Sequence, residues 1–361
     1  MVYLLNFLAI PIYFLIIKVS FDNTKTQKRL FALISTIHIV LFRALSYPYD
    51  FEDTEGYGKA FLKMSDYTFE EVAFSFHEYT HWGQGYCILN WIVSCFFNNE
   101  LLFFVIIGMI ISGISVWFYK KMSYSLFLTI IFYLLYPTLY LMGFAVIRQH
   151  IAAVLILIAL FYIDNKKISL SFSLAAPLFH VSAIVFLPFF IFRKFDLLRC
   201  NFFKLFSFLL IGVVLFRLTI NIIVNRIGSL LLTDKYEEFG GQAENSNLVP
   251  IIILGSLTFV LLTRVDFSKC NFRDKEIIYY IFYGFLISMV CFGISGAGRL
   301  TLFFLYVVPV AITYLNHYSP KVRSINNIYI MMLLALTLRQ LYYSYHSWVL
   351  DFDYKFFWNY I

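Results

Sequence analysis

Apolar runs of spanning or near-spanning length alternate with short polar turns along almost the whole chain. They fall at residues 3–17, 30–46, 101–119, 126–141, 143–163, 203–225, 248–263, 276–294, 299 to about 317, and 325–345. A helix of roughly 17–25 apolar residues crosses a hydrocarbon core, and a helix satisfies every backbone group within its own segment. The pattern predicts an all-α polytopic membrane protein of about 11–13 transmembrane or half-helices, forming a single transmembrane domain over residues 1–361. Two stretches break the rhythm. Residues 86–97 are apolar but cover only ~18 Å as a helix, short of a ~30 Å core; they read as a half-helix or interfacial helix. Residues 168–192 are long enough for one crossing, yet Arg193, Lys194, Arg199 and Lys204 follow them.

Those basic residues matter because Lys and Arg gather in cytoplasmic turns. Lys18, Lys25, Lys28 and Arg29 mark the first turn, Lys120-Lys121 the next, Lys166-Lys167 another, and Arg264, Lys269, Arg273 and Lys275 a fourth. With these inside, residues 46–85 and 226–247 become two external loops. Residues 168–192 then begin and end on the basic side, so a pair of half-helices broken near Pro177 to Ser182 is expected. Irregular backbone at depth is tolerated where it lines a protein cavity. The run at residues 2–17 has no basic residues before it and no small-residue cleavage site after it, so it reads as a retained first helix.

Composition agrees. Of 361 residues, 61% are hydrophobic and 14% charged, against roughly 25% charged in a soluble domain. The net charge of +7 sits in inter-helix turns, not in a basic stripe with exposed aromatics, which argues against nucleic acid. The five cysteines form no Cys-x-x-Cys pair and suggest neither a zinc site nor a disulfide framework. No metal or other cofactor is expected. The 43 Phe and 27 Tyr suit interfacial belts and sugar-stacking surfaces alike. The loop at 46–85 is acidic and aromatic, so it is a carbohydrate-facing candidate or a solvated connector.

Four arginines fall at external helix ends by this topology: Arg43, Arg148, Arg299 and Arg339. Orientation alone would put them on the opposite side. Arginine stays charged when partly desolvated and contacts phosphate bidentately. The plainer alternative is snorkelling to headgroups or pairing with Asp50, Glu52, Asp53 or Glu55. Arg148 lies about one turn into its apolar run and is followed by Gln149. Arg299 follows Gly296 and Gly298. His180, with Ser182, interrupts the run 168–192, as a site or as an ordinary helix contact. Asp53, near Tyr57, could accept a proton from a sugar hydroxyl or be a solvated loop acid.

These residues resemble the EpsG-like branch of Wzy-type polysaccharide polymerases, which build bacterial O-antigen and exopolysaccharide. The resemblance rests on Phe42-Arg43, Asp53-Thr54-x-x-Tyr57, Gly85-Tyr86-x-x-Leu89-Asn90, Ile147-Arg148-Gln149-x-x-Ala152, Phe179-His180-x-Ser182-Ala183, and Arg299 among small residues. Where the family often has Asp-Tyr, this chain has Asp53-Thr54. Where it often has an acid before the Gly-Tyr, this chain has Gln84.

The resemblance implies a GT-C-like fold in the bacterial cytoplasmic (inner) membrane, with its active site facing the periplasm or cell exterior. The substrates would be glycans on undecaprenyl diphosphate, and a flippase and a chain-length regulator would be partners. Arg148, Arg299, His180 and Asp53 would be catalytic; Arg43, Arg339, Gln149 and Tyr57 would bind substrate. Two other classes compete: a lipid-linked oligosaccharide flippase, although no two similar halves are evident, and a membrane O-acyltransferase. Loss of a polymerase leaves single repeat units on the surface. Loss of a flippase leaves none exported, and loss of an acyltransferase leaves full chains lacking a modification.

Overall fold

The computed structural model describes residues 2–45, 54–75, 82–194, 248–291 and 298–347, and every regular element among them is helical. They fall into two compact units, one drawn from residues 1–184 and 330–361 and the other from 185–329. Asp53, the expected helix at 203–225, the loop at 226–247, Gly296 and the tail from 348 lie outside the described residues.

The first unit contains α1 (Val2–Ser20), α2 (Thr24–Ala44), α3 (Thr54–Met64), α4 (Gln84–Ser94), α5 (Glu100–Met122), α6 (Leu126–Leu135), α7 (Met142–Ala145), α8 (Ile147–Phe161) and α9 (Lys166–Phe179). Short polar turns start the long helices by capping them. Asn23 accepts from the Lys25 N–H, Asn99 from that of Leu102, and Asn165 from that of Ile168. Lys120 and Lys121 close α5, where cations suit the negative end of the helix dipole. The closest pairings are α8 with α9, α2 with α5, and α5 with α8.

The α8–α9 hairpin is built inside out. Its buried α9 face is Ser169, Ser173 and Ala176; Leu170, Leu174 and Leu178 are exposed. Small residues allow α8, with its own Ala152, Ala153 and Ala159 buried, to approach closely. The Ser169 hydroxyl donates to the Ala159 carbonyl at 2.8 Å and fixes the hairpin register.

The second unit contains α10 (Phe189–Phe192), α11 (Leu248–Arg264), α12 (Phe272–Val290), α13 (Gly298–Leu305) and α14 (Val308–Tyr318), and takes in the start of α15 (Arg323–Ser347). Phe186 and Phe189 pack edge-on to Tyr280, with ring centroids 5.5 and 5.1 Å away. Arg193 donates to Glu276 at 2.7 Å and lies over the Phe272 ring. Arg264 donates to Asn326 at 2.9 Å. The end of the 168–192 run is thereby tied to the same helix ends as the basic turn.

Several apolar runs are cut where the sequence looked continuous. The run 126–141 stops at Leu135 because Pro137 drives Tyr136 into extended backbone (φ −90°, ψ 104°). The run 143–163 breaks at Val146 (φ −93°, ψ 54°). The run 168–192 breaks at His180, also extended (φ −152°, ψ 118°), between α9 and a 3₁₀ turn at Val181–Phe186. That break falls where half-helices were expected. Among the described residues two stretches, Glu100–Met122 and Arg299–Tyr318, are long and apolar enough to cross a membrane; the other apolar helices are shorter.

Candidate functional site

The polar stretch expected as a loop carries a helix, and that helix supplies the first wall of the site. Tyr57, Phe61 and Met64 lie on the buried face of α3. Phe61 stacks on Phe103 of α5 at 4.5 Å, which seats α3 and aims Tyr57 inward. The acids Glu55, Asp66, Glu70 and Glu71 are exposed. Thr68 and Glu71 form a reciprocal capping box. The Glu71 carboxylate accepts from the Thr68 N–H at 2.7 Å and its hydroxyl at 2.9 Å, and these bonds hold the carboxyl below its ordinary range. The turn they start, Glu71–Ser75, offers the Ala73 carbonyl to the Gln84 side chain. Gln84 therefore anchors α4, in the position where an acid was expected from the resemblance.

The second wall is Trp82 to Tyr86. Two glycines there allow helix α9 to end against the start of α4. A Cβ on Gly83 would lie 2.8 Å from the Phe179 carbonyl oxygen and nearer still to that of Leu178. One on Gly85 would lie 3.0 Å from both Leu178 and the Phe179 ring. Trp82 and Tyr86 close on Tyr57, with centroids 5.2 and 5.6 Å from its ring.

Arg148 enters this aromatic group from the first turn of α8. Its Nε donates to the Tyr57 hydroxyl at 3.1 Å. Its guanidinium carbon is 5.6 Å from the Tyr57 ring centre and 5.8 Å from that of Trp82. Such faces hold a cation by their quadrupoles. No side chain caps α8, so its positive end carries a further positive charge. That pairing is unfavourable by itself and favourable around an anion. Tyr86 is fully buried.

His180 reaches the same end. From the Ser169–Ala159 bond, eleven residues along each arm lead to His180 on one side and Arg148 on the other. His180 follows the two residues that pack on Gly83, and its Nδ1 is 2.5 Å from the Ser182 hydroxyl. Arg148, Tyr57, Trp82 and Tyr86 thus cluster at one end of the hairpin, the end at which α9 stops at His180.

The remaining expected residues are placed differently. Arg43 is 4% exposed, well inside the packing. Gln149 is buried beside Arg148. Arg299 is exposed in the first turn of α13, and Arg339 is exposed on α15 near Tyr342. Sequence reasoning missed His150, fully buried within reach of the Arg43 charge. It also left Trp82 and Tyr86 unassigned, although an aromatic on each side of Gly-x-Gly was a legible signal of close backbone approach. Among the described residues no group of His, Cys, Asp and Glu could hold a metal ion.

Compared with known families, residues 29–361 match the model of the EpsG family. No curated protein and no solved structure matches the chain.

Proposed function

This protein belongs to the EpsG family, and on that premise we propose that it is a membrane glycosyltransferase. It joins undecaprenyl-diphosphate-linked oligosaccharide repeat units into O-antigen or exopolysaccharide chains at the outer face of the cytoplasmic membrane. The family belongs to polysaccharide synthesis; the substrate, reaction and side of the membrane are our reading.

One observation carries it: a guanidinium held by aromatic faces at an uncapped helix N-terminus, level with a histidine at a helix break. The cation suits the diphosphate of the donor and the aromatic walls suit its sugars. The acceptor hydroxyl attacks the anomeric carbon of the donor glycan. The bond from that carbon to the diphosphate oxygen breaks, and its electron pair leaves with undecaprenyl diphosphate. Arg148 stabilises the charge that grows there. His180 takes the hydroxyl proton, with Ser182 orienting its ring. Asp53 is the other candidate base. Arg299 and Arg339 keep their sequence-derived roles toward the diphosphate, and a flippase and a chain-length regulator remain the expected partners.

Membrane residence is supported by the inside-out α9, with leucines outward and serines inward, and by the two stretches of spanning length. The test is elongation of a lipid-linked repeat unit by purified protein. Arg148→Ala, inserted normally, is expected to lose about 10²–10³ in rate. Wild-type rate in that variant removes Arg148 from the mechanism, and no elongation by the wild-type protein removes the function.

A further inference from the structure

Arg43 was expected beside the substrate, yet its side chain runs through the interior of the first unit. It leaves the last turn of α2 and passes over Gly108 of α5, where a Cβ would come within 3.3 Å of its Cγ. Its Nη2 donates to the carbonyl of Gly143 in α7. A Cβ on Gly143 would lie 2.6 Å from both Nη atoms. Glycine is therefore required at 143 for the guanidinium to lie against the backbone. Tyr133 and His150 both lie within reach of the same charge. Three residues beyond Gly143 is the break at Val146, and two beyond that is Arg148.

Resting on the function proposed above, we infer that Arg43 is a positioning residue. By gripping the Gly143 carbonyl it fixes the α7–α8 joint and so sets the direction from which the first turn of α8 presents Arg148 to Tyr57 and Trp82. At the joint the Val146 N–H donates to the Met142 carbonyl at 2.9 Å and the His150 N–H to the Val146 carbonyl at 3.2 Å, while the Gly143 carbonyl is taken by Arg43. That charge-assisted bond from a third helix constrains the joint. Displacement of a catalytic group by about 1 Å can cost as much as 10²-fold in rate.

The experiment pairs kinetics with a signal independent of activity. In full-length protein whose other tryptophans (Trp91, Trp117, Trp348 and Trp358) are Phe, Trp82 emission reports the guanidinium over its ring. Arg43→Lys is expected to shift that emission in the same direction as Arg148→Ala, and to add nothing when Arg148 is already Ala. It should lower kcat by about 10- to 100-fold with KM for the lipid-linked unit little changed, and Gly143→Ala should reproduce both effects with Arg43 intact. A raised KM with unchanged Trp82 emission would mean that Arg43 touches the substrate, and would overturn the inference. A lower Tm with unchanged emission and unchanged kcat per folded molecule would reduce Arg43 to a packing role, and would also overturn it. If the wild-type protein does not elongate while Trp82 still responds to Arg43→Lys, the positioning stands and the proposed reaction falls.

Discussion

At the scale of single residues, Arg148 is held by one hydrogen bond and two ring faces, and these can be separated. Tyr57→Phe removes the bond at 3.1 Å and keeps the ring. Bonds to a charged group contribute about 1.5–3 kcal/mol, so elongation is expected to fall roughly tenfold or more. Trp82→Leu removes a contact worth about 0.5–2 kcal/mol, with a smaller loss. Equal, negligible effects of both variants on the elongation rate would show that the aromatic group does not support Arg148. Gly83→Ala is the harshest of these changes, because its Cβ meets backbone carbonyls of α9 that cannot swing aside. It is expected to abolish elongation and to lower Tm. Arg148 was legible in the sequence, since a cation in an apolar run stands out against its neighbours. The partner of Gly83 was not, because it is the backbone at the end of α9, more than ninety positions away in the chain.

At the scale of elements, the turn at Glu71–Ser75 links solution conditions to the site. Thr68 holds the Glu71 carboxyl below its ordinary range. A depressed folded-state value means that the stabilisation is complete above the unfolded value and is lost as pH falls through the folded one. Acidification below the ordinary carboxylate range should therefore loosen this turn and release Gln84. Limited proteolysis between residues 65 and 83 should rise at acid pH, and Glu71→Gln should remove that dependence. An unchanged acid-induced increase in Glu71→Gln would assign the effect to another group. The α8–α9 hairpin depends likewise on its cap. Asn165→Ala is expected to cost about 0.5–2 kcal/mol, seen as a lower Tm.

At the scale of the whole molecule, the arrangement makes a sided prediction. Lys121 and Lys167 are exposed at the last turn of α5 and the first turn of α9, whereas Lys59 is exposed on α3, the helix that carries Tyr57. In intact cells, a cysteine at 59 should react with a membrane-impermeant thiol reagent, and cysteines at 121 or 167 only after permeabilisation. The reverse result would invert the topology and move the site to the cytoplasm. The described residues fall into two compact units. Proline and helix breaks leave two described stretches of spanning length, because an apolar run records hydrophobicity but not where its backbone turns.

The sequence by itself determined the helical class, the basic turns, the family resemblance and the residues worth suspecting: Arg148, His180 and Tyr57. These are local properties, written in runs of apolar residues and in charges placed where they are costly. Only the tertiary structure decided that Arg148 and His180 share one end of a hairpin, that Trp82 packs on Arg148 and Tyr86 on Tyr57, and that Arg43 lies buried with its guanidinium on the Gly143 carbonyl. Register, close approach at glycine and the path of a buried side chain arise from contacts between distant segments. Hydrophobic periodicity carries no record of which segments meet.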